Sequence, residues 1–167
     1  MSKAMGSQAD VAAAAQAPGL LVFRLEGFGP SVEARSALLQ SMEPGLHVLG
    51  ASEAAQFWSR LKNPLPGREL LWRISIPSSR ASEVVGALGG DWLMDWAGGL
   101  IWSASEDAAA VRQAADTAGG HAMLLRAPEA LRAEVPAQHP PTPGVAALEA
   151  RVRRAFDPAG VFETGRF

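Results

Sequence analysis

Residues 69–126 restrict the possible folds more than any other part of the chain. In Glu69 to Ile76 (ELLWRISI), polar Arg73 and Ser75 alternate with apolar side chains, and a period of two predicts a half-buried strand. The rest of the stretch is predicted as a helix from Pro77 through Leu88, strands at Asp91 to Trp96 and Leu100 to Ala104, a helix from Ser105 to about Ala118, and a strand at His121 to Arg126. The order β-α-β-β-α-β is that of a ferredoxin-like unit.

The region before residue 69 resembles half of another such unit. It is predicted to contain a strand at Leu20 to Glu26, a helix at Val32 to Met42, a short strand at Leu46 to Leu49 and a helix at Ala51 to Leu61. The sequence therefore predicts an α+β fold. We expect one antiparallel sheet of about six strands with helices mainly on one face, followed by a C-terminal helix and tail.

Four segments follow from this pattern. Residues 1–17 are predicted to be a disordered leader, and residues 18–127 form the ferredoxin-like domain. Residues 128–143 contain five prolines and are predicted to be an extended connection. Residues 144–167 form the last helix and tail, and the apolar side chains that share one helix face are Val145, Leu148, Val152 and Phe156.

Composition excludes several functions. The net charge of −2 gives no reason to expect nucleic acid as a partner, since phosphate binding needs clustered basic side chains. The absence of cysteine excludes thiolate nucleophiles, zinc-thiolate sites and iron–sulfur ligation by this chain. The three histidines lack metal-ligand spacing, so no metal site is predicted. No apolar run approaches the roughly 18 to 20 residues that span a bilayer, so we expect a cytoplasmic protein without a transmembrane segment.

Several motifs resemble one family of flavin-linked oxidases. Residues 71–77 (LWRISIP), 95–102 (DWAGGLIW) and 119–126 (GGHAMLLR) resemble three strand motifs of the FAD-binding E subunit of bacterial glycolate oxidase. Residues 24–28 (RLEGF) resemble the start of its cap domain. The ending RRAFDPAGVFETGRF resembles the tail of the vanillyl-alcohol oxidase type superfamily, which returns from the cap to the flavin domain.

The resemblance implies a cap domain of a subunit that binds FAD. The complete subunit would oxidise glycolate to glyoxylate with a second flavin subunit and an iron–sulfur subunit, peripheral to the inner membrane through that complex. Gly165 and Arg166 retain the family's ending and are expected near the cofactor. The family's flavin domain is not among these 167 residues. We therefore expect the chain alone neither to turn over substrate nor to retain FAD.

His121 and Arg73 are the candidate catalytic residues. An imidazole acts as a base near neutral pH, and an arginine within a strand binds a carboxylate through two hydrogen bonds. The alternatives are a structural histidine at the start of a strand, and an internal ion pair of Arg73 with Asp95 or Glu69. The tryptophans at 72, 92, 96 and 102 either shield a flavin ring or belong to the core.

A second hypothesis is a non-catalytic ferredoxin-like binding or assembly module. It is motivated by departures from the family pattern, because Ile101 replaces the usual arginine of the hairpin and Glu163-Thr164 replaces Asn-Pro in the tail. In this reading, exposed sheet surface and the tryptophans serve docking or self-association into a homo-oligomer.

Overall fold

The computed structural model describes residues 1–162. Six strands lie in this part: β1 (Ala13–Ala17), β2 (Leu20–Arg24), β3 (Leu71–Ser75), β4 (Trp92–Asp95), β5 (Leu100–Ser103) and β6 (His121–Arg126). The α-helices of the same part are α1 (Ser2–Met5), α2 (Gly29–Met42), α3 (Ala51–Arg60), α4 (Ala81–Leu88), α5 (Ala108–Thr117), α6 (Glu129–Glu134) and α7 (Pro143–Phe156). A short 3₁₀ turn at Ser78–Arg80 precedes α4, and a tight turn at Trp96–Gly98 precedes β5.

The strands form one antiparallel sheet in the order β2-β1-β4-β5-β3-β6. Its last four strands, with α4 after β3 and α5 after β5, have the strand order of a ferredoxin-like unit. The β1–β2 hairpin extends this unit beside β4. The predicted α+β architecture with a six-stranded antiparallel sheet is therefore confirmed.

The main core lies between the sheet and the helices α4 and α5. Trp72, Ile74 and Ile101 project into it and are completely buried. Val84 of α4 and Val111 of α5 pack against the same cluster. Each large apolar side chain buried here contributes about 1.5–3 kcal/mol relative to its exposure to water. Strand alternation thus sends Trp72 and Ile74 inward and leaves Arg73 and Ser75 on the other face.

The prediction of a disordered leader over residues 1–17 is wrong. Residues 13–17 form β1, which pairs with β2 along its whole length and contacts β4 through Gln16 and Met94. Pro18 and Gly19 make the two-residue turn between the strands, with Gly19 at a φ of +73°. The alanine-rich segment has low β-propensity, and the pairing with β2 decides its conformation.

Two further predictions differ from the structure. Leu46 to Leu49 is not a strand. The sixth strand of the sheet is instead β1, which pairs with β4. Within the proline-rich connection, residues 129–134 form the helix α6. Pro128 sits at its N-cap, where the missing N–H removes no intrahelical hydrogen bond, and Pro136 follows its end.

Candidate functional site on the outer face of the sheet

The two predicted catalytic residues are neighbours on the sheet face that points away from α4 and α5, which we call the outer face. His121 lies directly opposite Ser75 in the pairing of β6 with β3, and Arg73 lies two residues from Ser75. Residues two apart on a strand, and residues paired across strands, project from the same face. Arg73 and His121 are thus diagonal neighbours, with Cα atoms about 7–8 Å apart.

Arg73 does not form the predicted ion pair with Asp95 or Glu69. Its Nη1 donates to Ser75 Oγ at 3.3 Å, toward the position of His121 along the strand. Its guanidinium lies over the ring of Trp96, 5.6 Å from the ring centroid. Within residues 1–162, Arg73 has no carboxylate partner. This cation therefore retains donors for an external anion.

Trp96 is placed beside Arg73 by an unusual turn between β4 and β5. Trp96 and Ala97 both adopt positive φ, at 51° and 56°, a conformation that costs a non-glycine residue about 1–2 kcal/mol. The Asp95 side chain stabilises the turn by accepting a hydrogen bond from Trp96 N–H at 2.7 Å. The indole is 61% exposed. Such strain collects at functional sites, and here it holds an exposed aromatic ring under a cation.

Trp102 adds a polar atom to the same face. It pairs with Arg73 across β5 and β3, so its side chain projects from the outer face. Its indole Nε1 is buried and has no hydrogen-bond partner within the part of the chain that the structure describes. An unpaired buried donor costs about 1–3 kcal/mol. The outer face therefore holds the Arg73 guanidinium and the unpaired indole N–H of Trp102, two residues that pair directly across β3 and β5.

The other tryptophans separate from this pair. Trp72 is fully buried in the main core, where its Nε1 donates to Ser105 O at 3.0 Å. Trp92 packs against the same core. The core alternative is therefore confirmed for Trp72 and Trp92, whereas Trp96 and Trp102 lie on the outer face and their role beside a flavin stays a prediction.

Gly120 controls where His121 enters the sheet. A Cβ added at Gly120 would stand 2.1 Å from Ser75 O and 2.6 Å from Ile76 Cγ2. Only glycine permits this approach of the two backbones. The Gly-Gly-His motif thus ends α5, then starts β6 against β3, and leaves the imidazole exposed next to Ser75.

One glycine-containing loop of the described residues is a candidate for binding the pyrophosphate of FAD, but a side chain of the chain itself occupies it. This loop joins β2 to α2 and contains Gly27, and Gly29 is the first residue of α2. Arg35 already fills it: its Nη2 donates to Glu26 O at 2.6 Å and lies 3.0 Å from the position of a Gly27 Cβ. Pro30 removes a further N–H donor from the first turn of α2. Gly165 and Arg166, the predicted cofactor contacts, lie outside the described residues.

A second polar cluster, which the sequence did not reveal, covers the free edge of β6. Arg112 of α5 donates to Ala122 O and to Pro136 O, the latter at 2.6 Å, and stacks on Trp72 at 5.0 Å. His139 Nδ1 accepts from Ala122 N–H at 3.1 Å, and Nε2 contacts Asp116 Oδ1 at 2.9 Å. We call Arg112, Asp116 and His139 the edge network. Burial lowers the pKa of Arg112, and the charge of Asp116 opposes that shift.

An apolar groove lies at the opposite end of the sheet. It has a volume of about 950 Å³ between the edge of β2, the helix α2, residues 44–49 and the helix α3. We call this cavity the β2 groove. Leu39 at its base is buried, whereas Val48 and Leu49 at its rim are exposed. Glu33 and Glu43 also line it and form no ion pair within residues 1–162.

Residues 1–162 contain neither a candidate metal site nor a candidate membrane-spanning helix. No group of three or more histidine, aspartate or glutamate side chains is arranged to hold a metal ion. No helix in this range has the length and apolar character needed to cross a bilayer. Comparisons with protein-family models, curated proteins and solved structures found no match.

Proposed function

We propose that this chain is the substrate-side cap of a flavin-linked 2-hydroxy-acid oxidoreductase resembling glycolate oxidase. The observation that carries the proposal is the placement of Arg73 and His121 as neighbours on the outer face. Arg73 and His121 are 48 positions apart in the sequence, and both of their motifs belong to the family resemblance. A carboxylate-binding cation and a proton acceptor on one surface match the chemistry of a 2-hydroxy acid.

Glycolate carries a carboxylate and a hydroxyl on adjacent carbons. The Arg73 guanidinium, already oriented by Ser75 and Trp96, binds the carboxylate through two parallel hydrogen bonds. His121 takes the hydroxyl proton at an imidazole nitrogen, and FAD, when bound, would accept the hydride from the carbon that bears the hydroxyl, which together convert the hydroxy acid to the oxo acid. Because the two side chains are diagonal neighbours on one face, a single small acid can contact both. Trp96 shields the bound carboxylate from water on one side.

In this proposal, FAD and the partner subunits are supplied by other parts of the complex. FAD belongs to the complete subunit, held by a flavin domain that residues 1–162 do not supply. A second flavin subunit and an iron–sulfur subunit would complete the complex. The chain's own contribution is to bind and orient the acid and to take a proton at His121.

Trp96 provides an internal reporter for the test. Its exposed ring contacts Arg73, so occupation of Arg73 by an anion changes the indole emission. We expect glycolate to quench tryptophan fluorescence saturably and ethylene glycol, which lacks the carboxylate, to have no effect. Arg73→Met should abolish the response and Trp96→Phe should reduce its amplitude. Arg60→Met on α3 is the matched control and should respond as the unmodified chain.

A flat glycolate titration of the unmodified chain contradicts the assignment of Arg73. A parallel titration with FAD should leave flavin fluorescence unchanged. Saturable FAD binding would show that the chain itself holds the cofactor, contrary to its placement in another domain.

A second candidate function is a non-catalytic assembly module. One observation favours it: every residue of α7 is exposed, including the four apolar residues that share one helix face, Val145, Leu148, Val152 and Phe156. Amphipathic helices are stabilised mainly by burial of the apolar face, so an uncovered stripe indicates a partner surface. Size-exclusion chromatography with light scattering tests this role, and a monomer at all concentrations that binds no partner through α7 would refute it.

A further inference from the structure

The uncovered helix α7 carries an apolar stripe over its full length. The stripe consists of Val145, Leu148, Val152 and Phe156, which are 47%, 56%, 48% and 84% exposed. Asp157 accepts hydrogen bonds from the N–H groups of Val161 and Phe162, at 2.8 and 2.7 Å. These two exposed apolar residues are thereby held close to the end of the helix. Isolated helices of this length are marginal in water, so α7 needs a surface that covers the stripe.

The β2 groove is an apolar surface of suitable character and length. Its long wall is α2, which has 14 residues, as does α7; both helices are therefore about 21 Å long. Val48, Leu49 and Trp58 line the groove with the edge of β2. Recognition of an amphipathic helix by an apolar groove through residues spaced three and four apart is a common binding mode.

The charges of the two surfaces are complementary. Helix α7 carries three arginines and one glutamate, and Arg151 flanks the apolar stripe on one side. The groove carries Glu33 and Glu43, whereas its Arg24 is paired with Glu26. Opposite potentials on two surfaces favour their encounter and set the orientation of docking.

The groove of the same chain lies beyond the reach of Leu148, which is in the first half of the stripe. His139 is bound at the edge of β6, whereas the groove lies beyond β2, five strand spacings or about 24 Å across the sheet. Four residues from His139 to Pro143 span at most about 14 Å, and five helical residues add about 7.5 Å. Leu148 therefore cannot reach its own groove while His139 remains bound.

We propose that α7 of one copy packs into the β2 groove of a second copy of this chain, and that two such contacts form a reciprocal dimer. This inference deepens the assembly role and does not involve the outer face. Neither Arg73 nor His121 is among the residues of α7 or of the groove lining. The glycolate titration and the dimer test can therefore fail independently.

Single-cysteine variants test the contact directly, because the natural chain contains no cysteine. Leu148→Cys and Val48→Cys change exposed residues, so neither substitution removes a core side chain. Mixing the two variants under mild oxidation should give a cross-linked product of two chains. Leu125→Cys, an exposed leucine on β6, is the control and should cross-link with neither.

Three results would overturn the proposal. Cross-linking of Leu148→Cys only with itself would indicate a contact between two α7 helices. A monomeric disulfide in the double variant Leu148→Cys/Val48→Cys would place α7 in its own groove. A single-chain mass at all concentrations, without cross-linking in the mixture, would exclude the dimer.

Glutamate substitutions test the same contact through the dimer Kd, without a cross-link. Leu148→Glu and Val48→Glu should each raise the dimer Kd by about tenfold or more, whereas Leu125→Glu should change it less than about twofold. A mixture of Leu148→Glu with Val48→Glu retains one intact contact per heterodimer and should associate more tightly than either variant alone. Arg151→Glu should weaken the dimer, and mixing it with Glu33→Arg should restore part of the loss. Equal Kd values for Val48→Glu and the unmodified chain would exclude the groove.

Discussion

Replacement of Arg112 by methionine should destabilise the fold and uncover the edge of β6. Arg112 donates to Ala122 O and Pro136 O, and hydrogen bonds from a charged donor contribute about 1.5–3 kcal/mol each. Its stacking on Trp72 adds about 0.5–2 kcal/mol. Methionine retains packing on Trp72 and removes the cost of burying the cation, which is the cost that lowers the pKa of Arg112. The net loss should be about 2–4 kcal/mol.

Urea unfolding followed by tryptophan fluorescence measures the global effect. For a chain of this size, 3 kcal/mol corresponds to a decrease in Tm of roughly 6–12 °C. Arg60→Met is the matched control because Arg60 is an exposed arginine of α3, and its free energy of unfolding should stay within about 0.5 kcal/mol of that of the unmodified chain. The slope of the urea transition should be similar in both variants.

Hydrogen exchange tests whether Arg112 stabilises the edge of β6 locally. The N–H groups of Ala122 and Leu124 point away from β3 and donate to His139 Nδ1 and Ala137 O, at 3.1 and 2.8 Å. If Arg112 holds residues 136–139 in place, both amides should exchange faster in Arg112→Met. A stability loss below about 0.5 kcal/mol together with unchanged exchange at these two amides would refute the edge network as a stabilising unit.

Three other substitutions test separate parts of the fold. Gly120→Ala should cost more than about 3 kcal/mol in urea unfolding, since its Cβ would collide with Ser75 O. Gly86→Ala, in α4 with open space around it, should stabilise by about 0.5–1 kcal/mol, and destabilisation would contradict this description. Arg80 holds the pKa of Glu83 below its usual range. That ion pair stabilises the fold above the unfolded-state pKa of Glu83, and the stabilisation is lost as pH falls through the folded-state pKa. The urea midpoint of Glu83→Gln should therefore be lower than that of the unmodified chain near neutral pH and equal to it in strong acid.

The central unit could be predicted because its local signals agree with its tertiary environment. The alternation around Trp72 and Ile74 matches a strand with one buried face, and Gly119-Gly120 stops a helix where the chain must approach β3. The same periodicity placed Arg73 and Ser75 on the opposite face. The proximity of Arg73 to His121 needed the strand register, which no local pattern in either strand specifies.

The errors arose where tertiary pairing overrides local preference. Residues 13–17 are four alanines and a glutamine, a composition that favours a helix or a disordered segment, and they become a strand because β2 and β4 supply partners. Leu46 to Leu49 has the stronger strand composition but lines the β2 groove instead. The Pro18-Gly19 turn was the local signal that could have identified the hairpin.

The edge network had no sequence signal at all. Arg112 looks like an exposed helical residue, and His139 is a single histidine among prolines. Their partners are mainly backbone atoms of Ala122, Pro136 and Ala137, which are invisible to any pattern of side chains. These backbone groups are buried by the fold, so each needs a hydrogen-bond partner. Which side chains supply those partners depends on the tertiary structure.

The two ends of the sheet therefore differ in how their edges are protected. At β6, residues 136–139 and the edge network satisfy outward-pointing backbone groups, so that edge is unsuited to pairing with another chain. At β2, no strand within residues 1–162 pairs with the far side, and the neighbouring cavity is apolar. The network that closes the β6 edge also anchors the segment that leads to α7 and keeps Leu148 away from the groove of its own chain. Loss of the network by Arg112→Met should consequently release this constraint and allow the disulfide between positions 148 and 48 to form within one chain.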